Sequence, residues 1–354
     1  MSRSSGGGVR VGAFYAGAAY VGTAIGAGFA SGQEILQFFV YFGAMGLPAL
    51  AISIALLTFT GYAVMEWGRR LRAESFEPVV LQLGGTALGR AVDWITTFFM
   101  FGAYATMLAG AGAVFVEQFG WGPAEGNVVM MAVTLLTVLL GLEGMVGSFS
   151  VLVPVMALAM GALGAATAAS QGSFGALFSG FRWSNPYAAP VPWWPLSAVT
   201  YASYNTALTI GVLAPLGSRL GGRQDAVRGA VVGGVGLGIA AVATYTAIAA
   251  HMPGAASFEV PMIYAAGYFG PSARLVYSLV LLAAIYTTAI SALYGFVSRL
   301  TVPQSPVGKA VTVAVAVGGL VASMAGFTHA VRILYPAVGY AGLVLIAFLL
   351  VKSP

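Results

Sequence analysis

Of the 354 residues, 59% are hydrophobic and only 7% are charged, where an ordinary soluble domain carries about 25% charged residues. So few polar groups cannot cover a core of this length in water, which excludes a soluble enzyme, a nucleic-acid-binding domain and a disordered chain. The formal charge of +5 and pI near 9.5 then mark cytoplasmic loops rather than an anionic partner. With no cysteine there is neither a disulfide nor thiolate chemistry. A mean hydropathy of +0.90 is that of an integral membrane protein, and a span needs about 20 apolar residues.

The first ten residues, MSRSSGGGVR, form a short polar tail. The glycine-rich apolar stretch that follows lacks a leucine core and a small-residue cleavage site, so it reads as a retained first helix rather than a signal peptide. Apolar stretches between turn and charge signals predict ten spans: 10–42, 46–71, 85–118, 126–142, 146–170, 194–216, 227–252, 271–300, 307–325 and 329–351. The third and eighth are long for a span, which implies tilt. Residues 171–193, with Arg182, Trp183, Pro186, Pro190, Pro192 and Trp193, read as an ordered extracellular interfacial loop. Residues 253–270, broken by Pro253 and Pro261, read as a loop with short helices over a cavity mouth, Glu259 within it.

Threading ten spans from a cytoplasmic N-terminus (residues 1–9) places twelve basic residues inside and three, Arg182, Arg274 and Arg332, outside. Both termini are then cytoplasmic. The spans divide into two five-helix halves, 10–170 and 194–351, each opening with an interrupted segment and holding an unusually long helix third. Five is odd, so the halves run in opposite directions. An inverted repeat with broken leading helices is the pattern of secondary transporters.

In the first span, Gly22, Gly26, Gly28 and Gly32 stand at mid-membrane depth. Two readings apply: close helix packing on small residues, or an unwound stretch whose freed carbonyls coordinate a cation and whose following half-helix attracts an anion. Glu34 is the one acidic residue placed near membrane depth. It is either a structural anchor or the group that couples transport to a proton or ion.

The third span carries Tyr104, which either caps a ligand pocket or packs with its hydroxyl bonded to a neighbour. In the sixth, Thr200, Tyr201, Ser203, Tyr204, Asn205, Thr206 and Thr209 form a polar cluster, with Tyr201 and Asn205 on one face. Ligand contact and interhelical hydrogen bonding both explain it. In the eighth, Ala284, Thr287, Thr288 and Ser291 make a stripe suited to a weakly held monovalent cation, unless the hydroxyls simply bond back to the i−4 carbonyls. His251 and His329 stand without metal-ligand spacing, and no hydrolase or phosphate-binding motif is present.

The run GTAIGAGFASGQEILQFF, Gly22 to Phe39, resembles the start of the bacterial YkvI family of membrane proteins. That family belongs to the amino acid-polyamine-organocation superfamily, whose members share the LeuT-type fold. Met107–Phe119 (MLAGAGAVFVEQF) and Phe258–Met262 (FEVPM) extend the likeness. The resemblance implies an all-α membrane protein of ten helices in a 5+5 inverted repeat, with broken first and sixth helices. It further implies a sodium site between the carbonyls of Gly22 and Ile25 and the positions Ala284, Thr287 and Thr288. A solute site would lie at Thr23, Ala24, Gly26 and Gly28, completed by Tyr104, Tyr201 and Asn205. Phe29 stands where relatives with a second sodium often have Asn, which argues against a two-sodium mechanism. Metal-ion transporters of this fold carry Asp and Asn in the first break and Met in the sixth helix, and neither feature appears at the corresponding positions here.

The expectation is a secondary active transporter of the cytoplasmic membrane, moving an amino acid or related amine or carboxylate by alternating access, coupled to Na⁺ or H⁺. Its partners would be the solute and the bilayer, with no nucleic acid and no cofactor beyond a coupling Na⁺. A transporter-fold receptor without net transport is the alternative. An ion channel is disfavoured, because no span carries a continuous polar stripe.

Overall fold

A computed structural model describes residues 12–140, 146–170 and 189–354. The tail 1–9 and most of the interfacial loop, with Arg182 and Trp183, lie outside these described residues.

The first apolar segment is not one helix. It forms α1 (Ala13–Ala24), α2 (Ala27–Ser31) and α3 (Gln33–Phe38), followed by a 3-10 turn over Val40–Met45. Then come α4 (Gly46–Leu71), α5 (Glu77–Val114) with a π-helical turn at Phe115–Phe119, α6 (Pro123–Leu140) and α7 (Val146–Ser170). After residue 188 come α8 (Trp194–Ser218), α9 (Arg223–Ala249), a 3-10 turn (Gly254–Ser257), and short α10 (Pro261–Gly267). The chain closes with α11 (Pro271–Leu300), α12 (Pro306–Ser323) and α13 (Phe327–Val351). Among the described residues, seven helices are long and apolar enough to cross a membrane: α4, α5, α6, α9, α11, α12 and α13. Helix α5 is two helical stretches joined at Gly85, where φ is 70°: the first opens at Glu77 with Pro78 in its first turn, and the second follows Gly85, where the third span is expected to begin.

Helix α8 forms the centre, packed between α4 and α13. Glycines set how closely the backbones approach. A Cβ on Gly68 of α4 would land on the backbone of Ala214, and one on Gly217 of α8 on the backbone of Met65. Hydroxyls join the helices where they cross: Ser53 Oγ donates to Ala198 O (2.9 Å), Thr60 and Thr206 pair at 2.9 Å, and Ser203 Oγ donates to Gly339 O (2.7 Å). Such bonds contribute about 0.6 kcal/mol each inside a membrane. Around this centre α9 packs on α1 and α4, and α5 packs on α11 and α13.

The expected break in the sixth segment is absent: α8 runs unbroken from Trp194 to Ser218. Three of the polar residues that suggested unwinding bond to carbonyls of the helix itself. Asn205 Nδ2 donates to Tyr201 O (3.1 Å), Thr206 Oγ1 to Ala202 O (2.8 Å) and Thr209 Oγ1 to Asn205 O (2.8 Å). No glycine occurs before Gly211 to make leaving the helix cheap.

Candidate solute site at the break in the first helix

Helix α1 ends because Ile25 (φ −81°, ψ 89°) and Gly26 (φ −95°, ψ −178°) leave the helical region. The Gly26 amide, which would have served the Gly22 carbonyl, bonds instead to Ala24 O at 3.1 Å. The Gly22 carbonyl thereby loses its helical donor. The amides of Ala27, Gly28 and Phe29 open the five-residue α2 and have no acceptor within it. Space is open at the break: no atom lies within 4 Å of where a Gly26 Cβ would stand. Gly32, with φ 86°, then redirects the chain from α2 into α3, a conformation that only glycine adopts cheaply.

That redirection turns Glu34 inward, where it is 4% exposed. Its Oε2 accepts a hydrogen bond from the Tyr204 hydroxyl. Its Oε1 and the Tyr335 hydroxyl converge beside Gly28, so that a Cβ on that glycine would strike both. The ring of Tyr204 stands edge-on to Tyr201 (centroids 5.2 Å apart) and to Tyr335 (5.1 Å). Phe38 and Phe39 close the far side against Tyr201 at 5.5 and 4.8 Å. The only salt bridges among the described residues are those of Glu66 and Asp93, so Glu34 is buried without a basic partner.

Beside this cluster α3 is tied down. Gln33 Nε2 donates to Phe258 O (3.1 Å) and Thr328 Oγ1 (3.0 Å), and Gln37 Nε2 to Gln33 Oε1 (2.8 Å) and Thr328 O (3.2 Å). The Tyr277 hydroxyl of α11 donates to Ala30 O of α2 at 2.7 Å. Beyond them the segment 257–259 covers a cavity of about 590 Å³ whose walls include Glu117, Asn127, Glu259 and Ser323.

The residues singled out in the sequence fall in three places. Ala24, Gly26 and Gly28 flank the break and Tyr201 joins the cluster around Glu34, whereas the Thr23 hydroxyl back-bonds to Ala19 O (2.7 Å) and the Asn205 amide to Tyr201 O (3.1 Å). Ala284 and Thr287 are buried on α11, Thr288 is half-buried, and Thr287 Oγ1 bonds to Ala284 O at 3.0 Å. Helix α11 meets the broken helix through α2. The Tyr104 hydroxyl pairs with Thr134 of α6 at 3.2 Å and its ring stands against Gly319 of α12, the arrangement expected of a packing tyrosine. Tyr335 escaped the sequence reading; the one signal was a Tyr-Pro pair, Tyr335-Pro336, in the middle of an otherwise apolar span.

No family model matches the chain. The Bacillus subtilis (strain 168) uncharacterized membrane protein YkvI is 30% identical over 335 residues, 94% of each chain. Among solved structures, MhsT in complex with L-phenylalanine superposes with a TM-score of 0.66 at 19% identity, covering 97% of this chain and 90% of its own. A Na⁺-coupled sialic acid symporter gives 0.54 at 14% identity, with 90% and 74% covered. At these identities the structural likenesses show a shared fold.

Proposed function

This chain belongs to the family of the Bacillus subtilis membrane protein YkvI, and we propose that it is a secondary active transporter of a small organic solute, an amino acid or related amine or carboxylate. The observation that carries the reading is the break at Ile25–Gly26, with open space beside it and a buried, ion-unpaired Glu34 one short helix away. A bundle built only to pack has no use for unsatisfied backbone and a carboxylate at that depth. The shared fold with a phenylalanine-bound protein and a sodium-coupled symporter supports the same class.

The architecture fits a 5+5 inverted repeat of the LeuT type within the amino acid-polyamine-organocation superfamily. Exchanging the first five segments for the second five maps the packing of α4 on α8 onto that of α9 on α1, and the pair α5–α11 onto itself. In this reading the protein sits in the cytoplasmic membrane with both termini inside. The solute lies at Thr23 to Gly28 and against Tyr201. Coupling runs through Na⁺ at Gly22, Ile25, Ala284, Thr287 and Thr288, or through H⁺ at Glu34. The Gly22 carbonyl freed by the break is a suitable cation ligand, and uncharged oxygens suit a weakly held monovalent ion better than a divalent one.

Charge movement in proteoliposomes on a solid-supported membrane tests the proposal. Pooled amino acids and amines are applied under a sodium step and, separately, under a pH step. A solute-dependent current under either is expected. Thr288→Ala removes it if sodium couples, and Glu34→Gln removes it if protons do. Binding without any current under both steps identifies a receptor instead.

A further inference from the structure

We infer that the cavity beside the turn from α5 into α6 takes the ammonium headgroup of an aminophospholipid, with Glu117, Glu259 and Asn127 as its acceptors. It stands apart from the break, since none of the described residues lining it belongs to α1, α2, α3 or α8.

The argument starts from acceptors that have no donor. Glu117 Oε1 accepts from the Val260 amide at 3.0 Å, while its Oε2 is buried and unpartnered. Glu259 Oε2 accepts from the Phe327 amide at 3.3 Å, and its Oε1 lies 3.3 Å from where a Gly326 Cβ would stand. Asn127 is 5% exposed, and its Oδ1 also lacks a donor. Its orientation is fixed: Ser323 Oγ gives its one proton to Leu320 O (2.7 Å), so it can only accept from Asn127 Nδ2, at 3.0 Å. Oδ1 is thereby turned toward Gly112, where a Cβ would strike it. Gly112 shares a face of α5 with Ala109, Ala113 and Val116 of the cavity wall, and its missing side chain leaves that oxygen at the cavity floor.

An unpaired polar atom at this depth costs free energy that a donor would recover. The one nearby cation, Arg274 of α11, donates to the Glu117 backbone carbonyl, and neither carboxylate is in a salt bridge. Two carboxylates against one guanidinium leave room for a single positive charge. An ammonium brings that charge with up to three N–H donors, whereas an anionic headgroup would meet like charge.

The surroundings select a lipid over a free amine. The turn from α5 into α6 joins two candidate spans, so the cavity lies at a face of the membrane. Phe119 and Trp121 of that turn are exposed, as aromatics at such a face are. Helices α6 and α12 pack on one another, both wall the cavity, and are the least buried of the seven candidate spans. Leading away from it, their exposed faces carry Val129, Val133 and Leu136 on α6 and Val317, Val321 and Met324 on α12. Acyl chains would lie along these stripes. The cavity, about 590 Å³, has the size of an ordinary small-ligand site and holds the headgroup.

Native mass spectrometry tests this on the purified chain in mixed micelles with equal amounts of phosphatidylethanolamine, phosphatidylcholine and phosphatidylglycerol of identical acyl chains. Phosphatidylethanolamine should be retained about tenfold over the other two, the low end for hydrogen bonds to a charged group. Glu117→Gln and Glu259→Gln each keep an oxygen for the backbone amide and should reduce that preference several-fold. A phosphatidylethanolamine with a diazirine in its acyl chain needs no variant, and its adducts should fall on α6 and α12. Equal retention of the three lipids, a preference that survives both substitutions, or adducts confined to other helices overturns the inference. Loss of the preference in Glu34→Gln would move the ammonium to the break and overturn it as well. So would displacement by equimolar glycerophosphoethanolamine, which lacks acyl chains and would make this a site for free amines.

Discussion

Gln33 donates from Nε2 to the carbonyl oxygen of Phe258 at 3.1 Å, 225 residues further along the chain. The next two residues are held as well. Glu259 Oε2 accepts from the Phe327 amide of α13 (3.3 Å), and the Val260 amide donates to Glu117 Oε1 beyond α5 (3.0 Å). Three consecutive residues, 258 to 260, are thus fixed to three different helical elements, one of them the second half of the broken helix.

Removing the Gln33 side chain, with its bonds to Phe258, Thr328 and Gln37, should therefore loosen this segment. The bond to Phe258 alone, at about 1 kcal/mol net, is roughly a fivefold change in its opening equilibrium. The chain has no cysteine, so Met262→Cys, buried beneath this segment at 0% exposure, serves as a single reporter. Labelling by a membrane-impermeant maleimide should be about fivefold faster when Gln33→Ala is added, on that same estimate. An unchanged rate would mean that Gln33 does not hold the segment shut.

Glu259 predicts a pH effect on stability. Burial raises its carboxyl above the ordinary value, and the bond from the Phe327 amide offsets this only in part. A folded-state value above the unfolded one means that the folded chain holds the proton more tightly. The associated stability is complete below the ordinary carboxylate range and is lost as pH rises through the raised value. Glu259→Gln removes this titration while keeping an acceptor for the amide. The melting temperature of the parent should fall relative to the variant from pH 5 to pH 8, with Glu117 across the cavity and Arg274, which donates to the Glu117 carbonyl, left in place. Parallel curves would refute it.

The helical segments were legible because hydrophobic runs, Pro and Gly mark them directly. Pro123, Pro261, Pro271 and Pro306 each stand in the first turn of a helix. The break at Ile25–Gly26 was legible for a local reason too, since four glycines in eleven residues are a poor helix. The unbroken α8 was not. Asn205 and Thr209 look alike in sequence whether they bond within their own helix or serve an unwound one. Nor was Tyr335, whose place beside Glu34 and Gly28 depends on how α13 packs against α2 and α3, a tertiary arrangement that no local pattern reports.

Gly217 and Gly68 make a second stability prediction. Each faces backbone on the opposite helix rather than a movable side chain, so an added methyl cannot be accommodated by a rotamer change. Gly217→Ala should cost about 1–3 kcal/mol, the range for overpacking, and Gly211→Ala, where no atom stands within 4 Å, should cost nothing measurable. Melting temperatures in one detergent compare them. Equal values would show that α4 and α8 are not in tight backbone contact.

Tyr104→Phe separates a packing tyrosine from a solute-binding one. The hydroxyl it loses is paired with Thr134, whose own Oγ1 donates to Met130 O at 2.7 Å. The variant keeps the ring against Gly319 and leaves Thr134 with its backbone acceptor, so no buried group is stranded. The loss should be about 1 kcal/mol of stability, and affinity for whichever solute drives a current should stay within about twofold, a free-energy change of roughly 0.4 kcal/mol. Tyr335→Phe should do the reverse, because its hydroxyl stands with Glu34 Oε1 at Gly28, next to the break. A large affinity loss in Tyr104→Phe with an unchanged melting temperature would return that residue to the solute site and place the solute nearer α5 than α13.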